Sequence, residues 1–486
     1  MRRFRFVHIP PEAIGAPVRL LEDWPLLRQL WVEPRFRWSA AATVLFAVLL
    51  GLTIPSWGAE TGPDGLAFPR PSLLHRFESR LLRDRAARLE AAGDPLGAAI
   101  LWRSALAYAP ADPMNLRGAI SNRLLRPPAS PAESAGLLQH CFRLIRIPGG
   151  DRADRTLVLR AFRMLEADAL VLRLVRQTAA PGPAELEAGC LALLRLGDVR
   201  FQDLRRRLGP ADPGSELALV DLAAIAAWDA EGPGVEALGQ LEAAGLHPVP
   251  DRAGFALSLL LKVHRIRRDP DRHRAVLGQL QALRLDSPGQ HAEGWRLAAE
   301  AGRLREARED ARRFHRPPVT LADMLSVAEG LESLGQVEDA LRCLESLGPA
   351  PDPSGAVAIS RARALVRLGR WTDLRHLALG LRHPDFTSTL VAGLSELLEG
   401  LAEARDGRVE VAIGRLRSAM ESGIADEVPD REALCGLLSI EGSRPARTLL
   451  LDLVPDPRHG HGHRRLVECL GSGAGSAVES PGENRN

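Results

Sequence analysis

Residues 328–347 read AEGLESLGQVEDALRCLESL, and the order of small, apolar and glycine positions in them decides the fold. Apolar residues recur at helical spacing on both sides of Gly335, so one helix closes at the glycine and another opens directly after it. Glycine is the residue best suited to the left-handed terminus such a turn needs. The same turn returns at Gly302, Gly369, Gly407 and Gly442, in steps of 33, 34, 38 and 35 residues within the stretch Glu293 to Val454. A hairpin repeated at that period cannot bury its own apolar face without a neighbour, and the expected fold is all-α, an α-solenoid.

The register extends backwards. Gly93 to Gly197 is 104 residues, Gly197 to Gly232 is 35 and Gly232 to Gly302 is 70, or three, one and two units. About eleven hairpins are expected between Ser72 and Val454. Turn glycines are missing near Pro127, near Arg163 and at Asp269-Pro270, where helical periodicity persists without them.

In the unit Arg80 to Pro113, Ala86 precedes Gly93, and Ala98, Trp102, Ala105 and Pro110 follow it. This pattern resembles the tetratricopeptide repeat (TPR), a helix-turn-helix unit of roughly 34 residues. Similar positions recur around Gly232 (Ala237, Leu241, Ala244, Pro248), Gly335 (Ala328, Ala340, Leu344, Leu347) and Gly407 (Gly400, Ala412, Leu416, Ala419). Trp371 and Leu374 depart from it. The small residues let paired helices approach, while Trp102 is expected to fill the gap to the next hairpin.

The resemblance implies a curved array whose inner face is lined by the first helix of each unit and receives a protein or peptide. The inward positions it implies are Arg296, Leu325, Glu329, Glu332, Ile359, Arg363, Arg367, Leu397, Leu401 and Arg405. Members that bind chaperones grip a peptide carboxylate with basic and Asn side chains. Leu325, Ile359 and Leu397 stand at several of those places, which argues against such a clamp and suggests an amphipathic helix, another copy of this chain included.

The N-terminal 37 residues carry seven arginines and four acids, and Val18, Leu20, Leu21, Trp24, Leu27, Leu30 and Trp31 interleave with Arg19 and Arg28 in the manner of a membrane-surface segment. Trp38 to Ala59 has no charge. With Arg35 and Arg37 before it and Glu60 and Asp64 after it, this run predicts one transmembrane helix over 38–59, N-terminus cytoplasmic, with the solenoid periplasmic or extracytoplasmic. A cleaved signal peptide fits less well, because its charged leader is shorter. Residues 60–71 read as a linker, and 455–486 as a loop, a short helix and a disordered tail.

The 486 residues hold 62 arginines and a single lysine, Lys262, against 61 acids, and a formal charge of +2 gives no drive towards nucleic acid. Five scattered cysteines, Cys141, Cys190, Cys343, Cys435 and Cys469, form no CxxC pair and read as small buried apolar residues. No HExxH, GxSxG or phosphate-binding loop is present, and no cofactor is expected. His459, His461 and His463 alternate in RHGHGHRR, but Arg458, Arg464 and Arg465 oppose a cation there, and they read as solvated rather than metal-binding.

These readings combine into an expected function: a non-catalytic, single-pass membrane scaffold for assembly of an envelope complex. Its alternatives are a recognition or regulatory subunit for a separate cell-wall or exopolysaccharide enzyme, and a glycan or small-ligand binding protein.

Overall fold

The computed structural model describes residues 41–46, 48, 56–61 and 67–453, apart from 148–151, 213, 230, 349–351, 353, 383–388 and 423–427. The surface segment 1–37 and the tail with His459, His461 and His463 lie outside the described residues. Strands β1 (Ser56–Thr61) and β2 (Ala67–Arg70) pair antiparallel, with Glu60 opposite Phe68. Eleven helical hairpins follow among the described residues. The first four are α1 (Leu73–Ala91) with α2 (Pro95–Tyr108), α3 (Pro113–Leu125) with α4 (Pro131–Arg146), α5 (Arg152–Met164) with α6 (Asp168–Gln177), and α7 (Pro183–Leu196) with α8 (Phe201–Arg205). Next come α9 (Glu216–Trp228) with α10 (Pro233–Gly245), α11 (Pro250–Ile266) with α12 (Pro270–Leu283), and α13 (Pro288–Glu300) with α14 (Leu304–Arg313). The last four are α15 (Leu321–Ser333) with α16 (Val337–Glu345), α17 (Ala356–Arg367) with α18 (Trp371–Gly380), α19 (Thr389–Arg405) with α20 (Val409–Glu421), and α21 (Val428–Leu438) with α22 (Arg444–Asp452).

Helix starts follow local chemistry. Asp94, Asp112, Ser130, Asp269 and Ser287 each accept a first-turn backbone N–H at the N-cap, and a proline directly follows each of them. There the missing proline N–H is no loss and its fixed φ already suits the helix. Most turns within hairpins centre on a residue of positive φ: at Gly335 (φ 77°), Gln336 N donates to Leu331 O at 2.9 Å and Gly335 N to Glu332 O at 3.0 Å.

Two of the units without a turn glycine use the same closure on another residue. Glu166 (φ 52°) and Arg268 (φ 56°) take the left-handed position, with Ala167 N donating to Phe162 O and Asp269 N to His264 O, each at 2.9 Å. Gly442 differs from the expectation. It lies in the 3₁₀ turn Glu441–Ser443 and is not left-handed. What selects glycine there is space, since a Cβ would stand 3.1 Å from Trp371 Cζ2 and 3.3 Å from Val366 Cγ1.

Packing is by small residues against large ones. Ala86, Ala98 and Ala105 are fully buried between α1 and α2, and Trp102 reaches the next hairpin, where a Cβ on Gly118 of α3 would overlap three atoms of its ring. Its Nε1 donates to Glu90 Oε1 at 2.8 Å. Successive hairpins stack on one another, and among the described residues three helix pairs skip a neighbour: α7 packs against α11, α17 against α21, and, furthest apart in sequence, α4 against α15. Leu321, Met324 and Ala328 of α15 thereby share a core cluster with Leu137, Leu138 and Cys141 of α4.

The single-pass membrane location expected from 38–59 is corrected. Among the described residues no helix is long and apolar enough to cross a membrane. The uncharged run does not remain one helix, because its end enters β1 at Ser56, directly after Pro55, while helical backbone is described at 41–46 and 48. The cytoplasmic N-terminus and the periplasmic or extracytoplasmic solenoid rested on that span and fall with it.

The core makes stability dependent on pH. His264 and His273, each 1 % exposed, are pushed down to about 4 by burial. Their folded pKa values lie below the ordinary 6.5, so the unfolded chain binds more protons between pH 6.5 and 4. Stability is full above that window and falls as pH falls through it. At pH 5 the pair is expected to cost about 3–4 kcal/mol relative to pH 7.5. Urea titrations at both pH values check this: the variant carrying His264→Gln and His273→Gln should show no more than about half of the wild-type difference, His140, likewise pushed down to about 4 by burial, supplying the remainder.

Candidate functional site

A cavity of about 300 Å³ lies where seven hairpins converge. Helix α15 contributes Leu321, Ala322, Leu325 and Glu329, and α13 contributes Ala292, Glu293 and Arg296, each set spaced along one helical face. Lys262 and Arg265 of α11, Arg195 and Leu196 of α7, the α5–α6 turn from Leu165 to Leu170, and Asp352, Ser354 and Ala356 at the start of α17 form most of the rest of the wall. Leu138 of α4 closes it across the α4–α15 contact. First helices of the hairpins therefore supply most of the lining.

Charged groups in and beside the cavity are arranged as a ladder of ion pairs. Arg195 lies 3.5 Å from Asp168 and 3.7 Å from Glu166. Lys262 and Arg265 both pair with Glu293, the latter at 3.1 Å, and Arg265 also donates to the Arg195 carbonyl. Arg296 donates to Glu329 at 3.0 Å, and Glu332 holds Arg363 at 2.9 Å and Arg367 at 3.2 Å.

Each rung shows a different balance. Burial raises the Asp168 carboxyl to about 7, with Arg195 opposing and Glu166 adding to the rise. Burial also acts upwards on Glu293, but Lys262 and Arg265 outweigh it and hold the carboxyl down at about 2. Glu332 is raised by burial against the pull of Arg363 and Arg367. Glu293 Oε2 and Glu332 Oε1 are buried without a hydrogen-bond partner.

Of the positions expected on the inner face, the cavity brings together Arg296, Leu325 and Glu329. Glu332, Arg363 and Arg367 continue the ladder beside it, and Arg405 is exposed at the end of α19. Ile359, Leu397 and Leu401, at 2 %, 1 % and 1 % exposure, are core residues rather than groove residues. Their faces pack against neighbouring helices within the second core cluster. Glu166, Asp168, Arg195, Lys262, Arg265 and Glu293 were not among the expected positions. One signal did mark that region: a lone lysine among 62 arginines, at Lys262.

No protein-family model matches the sequence, and no curated protein matches it. Among solved structures the chain is similar to the pentatricopeptide repeat protein PPR10 from maize, at 18% identity and a TM-score of 0.26 over 82% of this chain and 62% of that one. This chain thus spans less than two thirds of that protein. It is also similar to the APC/C hetero-tetramer Cut9-Hcn1 (12% identity, TM-score 0.25, 81% of this chain and 83% of that one) and to the P58(IPK) TPR domain (13% identity, TM-score 0.19, 83% and 99%).

Proposed function

We propose that the chain is a non-catalytic scaffold that binds a protein segment on its inner face, with one apolar side chain of that segment seated in the cavity between α4, α7, α13 and α15. The observation that carries this reading is the cavity itself, about 300 Å³ and walled by Leu138, Leu165, Leu196, Leu321 and Leu325. Its charged neighbours are engaged with one another, so a charged guest would have to break an existing pair while an apolar one breaks none. The ladder then orients the flanking backbone of the bound segment rather than neutralising it. Arg296, Leu325 and Glu329 are the contact positions in this reading, with Glu332, Arg363 and Arg367 beside them.

The test blocks the cavity without touching the ladder. Ala322 is half-buried on the cavity wall, and Ala322→Trp fills it. Peptides selected from a library against the full chain are expected to carry a recurrent leucine-sized residue and to bind Ala322→Trp at least ten-fold more weakly. Arg405→Glu, remote from the cavity, should leave their affinity unchanged. Equal affinity for Ala322→Trp and wild type would refute the site.

A further inference from the structure

A second cavity, of about 330 Å³, lies between α12, α13 and α14, separate from the first cavity and sharing no lining residue with it. Part of its wall is a cluster of rings, with Arg274, Gln281, Asp310 and Arg313 making much of the rest polar. Trp295 and Phe314 meet edge to face with ring centroids 5.6 Å apart, and His291 lies against Phe314 at 4.5 Å. His291 is fixed in place, since its Nε2 donates to Asp286 at 2.9 Å. His273 lines the same cavity from α12, is 1 % exposed, and its Nε2 has no hydrogen-bond partner. Gly278 opens onto free space, because a Cβ built there meets nothing within 4 Å.

Each feature restricts the guest. The ring cluster favours a planar ring, stacked or edge-on. A buried imidazole with an unpartnered nitrogen is costly to leave so, and because burial keeps His273 neutral it offers an acceptor or a single donor. A cationic guest is disfavoured, because Arg274 and Arg313 stand at the rim and Arg316 lies 5.7 Å from the Phe314 ring centroid. Asp310, the acid at the rim, already faces Arg274 at 3.4 Å.

We propose that this cavity binds a neutral planar aromatic group carrying one hydrogen-bond donor, an indole or a phenol, with the donor directed at His273. The group comes either from a free small molecule or from a tryptophan or tyrosine side chain of a partner.

Calorimetric titration of the full chain with indole, toluene and tetramethylammonium tests this. Indole is expected to bind at least ten-fold more tightly than toluene, and tetramethylammonium not at all. His273→Leu should bring indole down to the toluene level while toluene binding is kept. Gly278→Leu, whose side chain enters the open space, should abolish both, with helical content unchanged by circular dichroism. N-acetyltryptophanamide binding as tightly as indole assigns the guest to a side chain, and its exclusion with indole retained assigns it to a free small molecule; both results uphold the site. The proposal is overturned if no indole binds at millimolar concentration, if toluene or tetramethylammonium equals it, or if His273→Leu or Gly278→Leu leaves indole binding intact.

Discussion

Replacing Glu293 with leucine is expected to remove about 3–5 kcal/mol of stability, read as a large fall in the urea midpoint. The carboxylate is 8 % exposed and is the shared partner of Lys262 and Arg265. Coulomb attraction from two cations holds it ionised against burial, so its removal leaves Lys262, with its side chain 14 % exposed, next to apolar surface without a counter-charge. The loss comes from this stranded charge, not from the strength of the pair. It follows that Lys262→Met added to Glu293→Leu should recover a large part of the loss, because a well-packed apolar pair is often as stable as the buried ion pair it replaces. A cost below about 1 kcal/mol for the single variant would show that water reaches the rung and screens it.

The second large effect is at Trp102. Trp102→Ala is expected to cost about 3–5 kcal/mol, since it deletes the largest side chain joining the first two hairpins and leaves a cavity between α2 and α3. Three fully buried alanines on one side and Gly118 on the other have shaped the space around that ring, and none of them expands to fill it. Gly118→Val alone should also destabilise, by about 1–3 kcal/mol, through overlap with the ring. Together the two substitutions should cost clearly less than their sum, because the valine then occupies what the tryptophan vacated. Thermal or urea unfolding of the two single variants and the double variant checks this, and simple additivity would contradict the contact.

The hairpin register was legible because its signals are local. A left-handed turn wants glycine, an N-cap wants Asp or Ser before proline, and a close helix pair wants alanine, so Gly93, Asp94 and Ala98 identify their own positions. The turns at Glu166 and Arg268 were not legible, because packing and backbone bonds there hold non-glycine residues at positive φ. Ile359, Leu397 and Leu401 show a different limit. Periodicity says that a residue shares a face with its neighbours three and four places on, but not whether that face meets the next hairpin or the open interior. The first cavity depends on Leu138 and Leu321, which stand more than 180 residues apart, and no local pattern joins them.

That junction of α4 with α15 changes how the chain must unfold. A strictly linear stack frays from its ends, each unit coupled only to the next, and the loss of a terminal unit is felt one step away. Here the second hairpin also touches the eighth, so the intervening units form a loop closed by that contact. Fraying of the units inside that loop is then coupled to the loss of the α4–α15 contact. Closure of the loop is a long-range step with the slow, loop-entropy-limited kinetics of a non-local fold rather than the rapid zippering of a helical array.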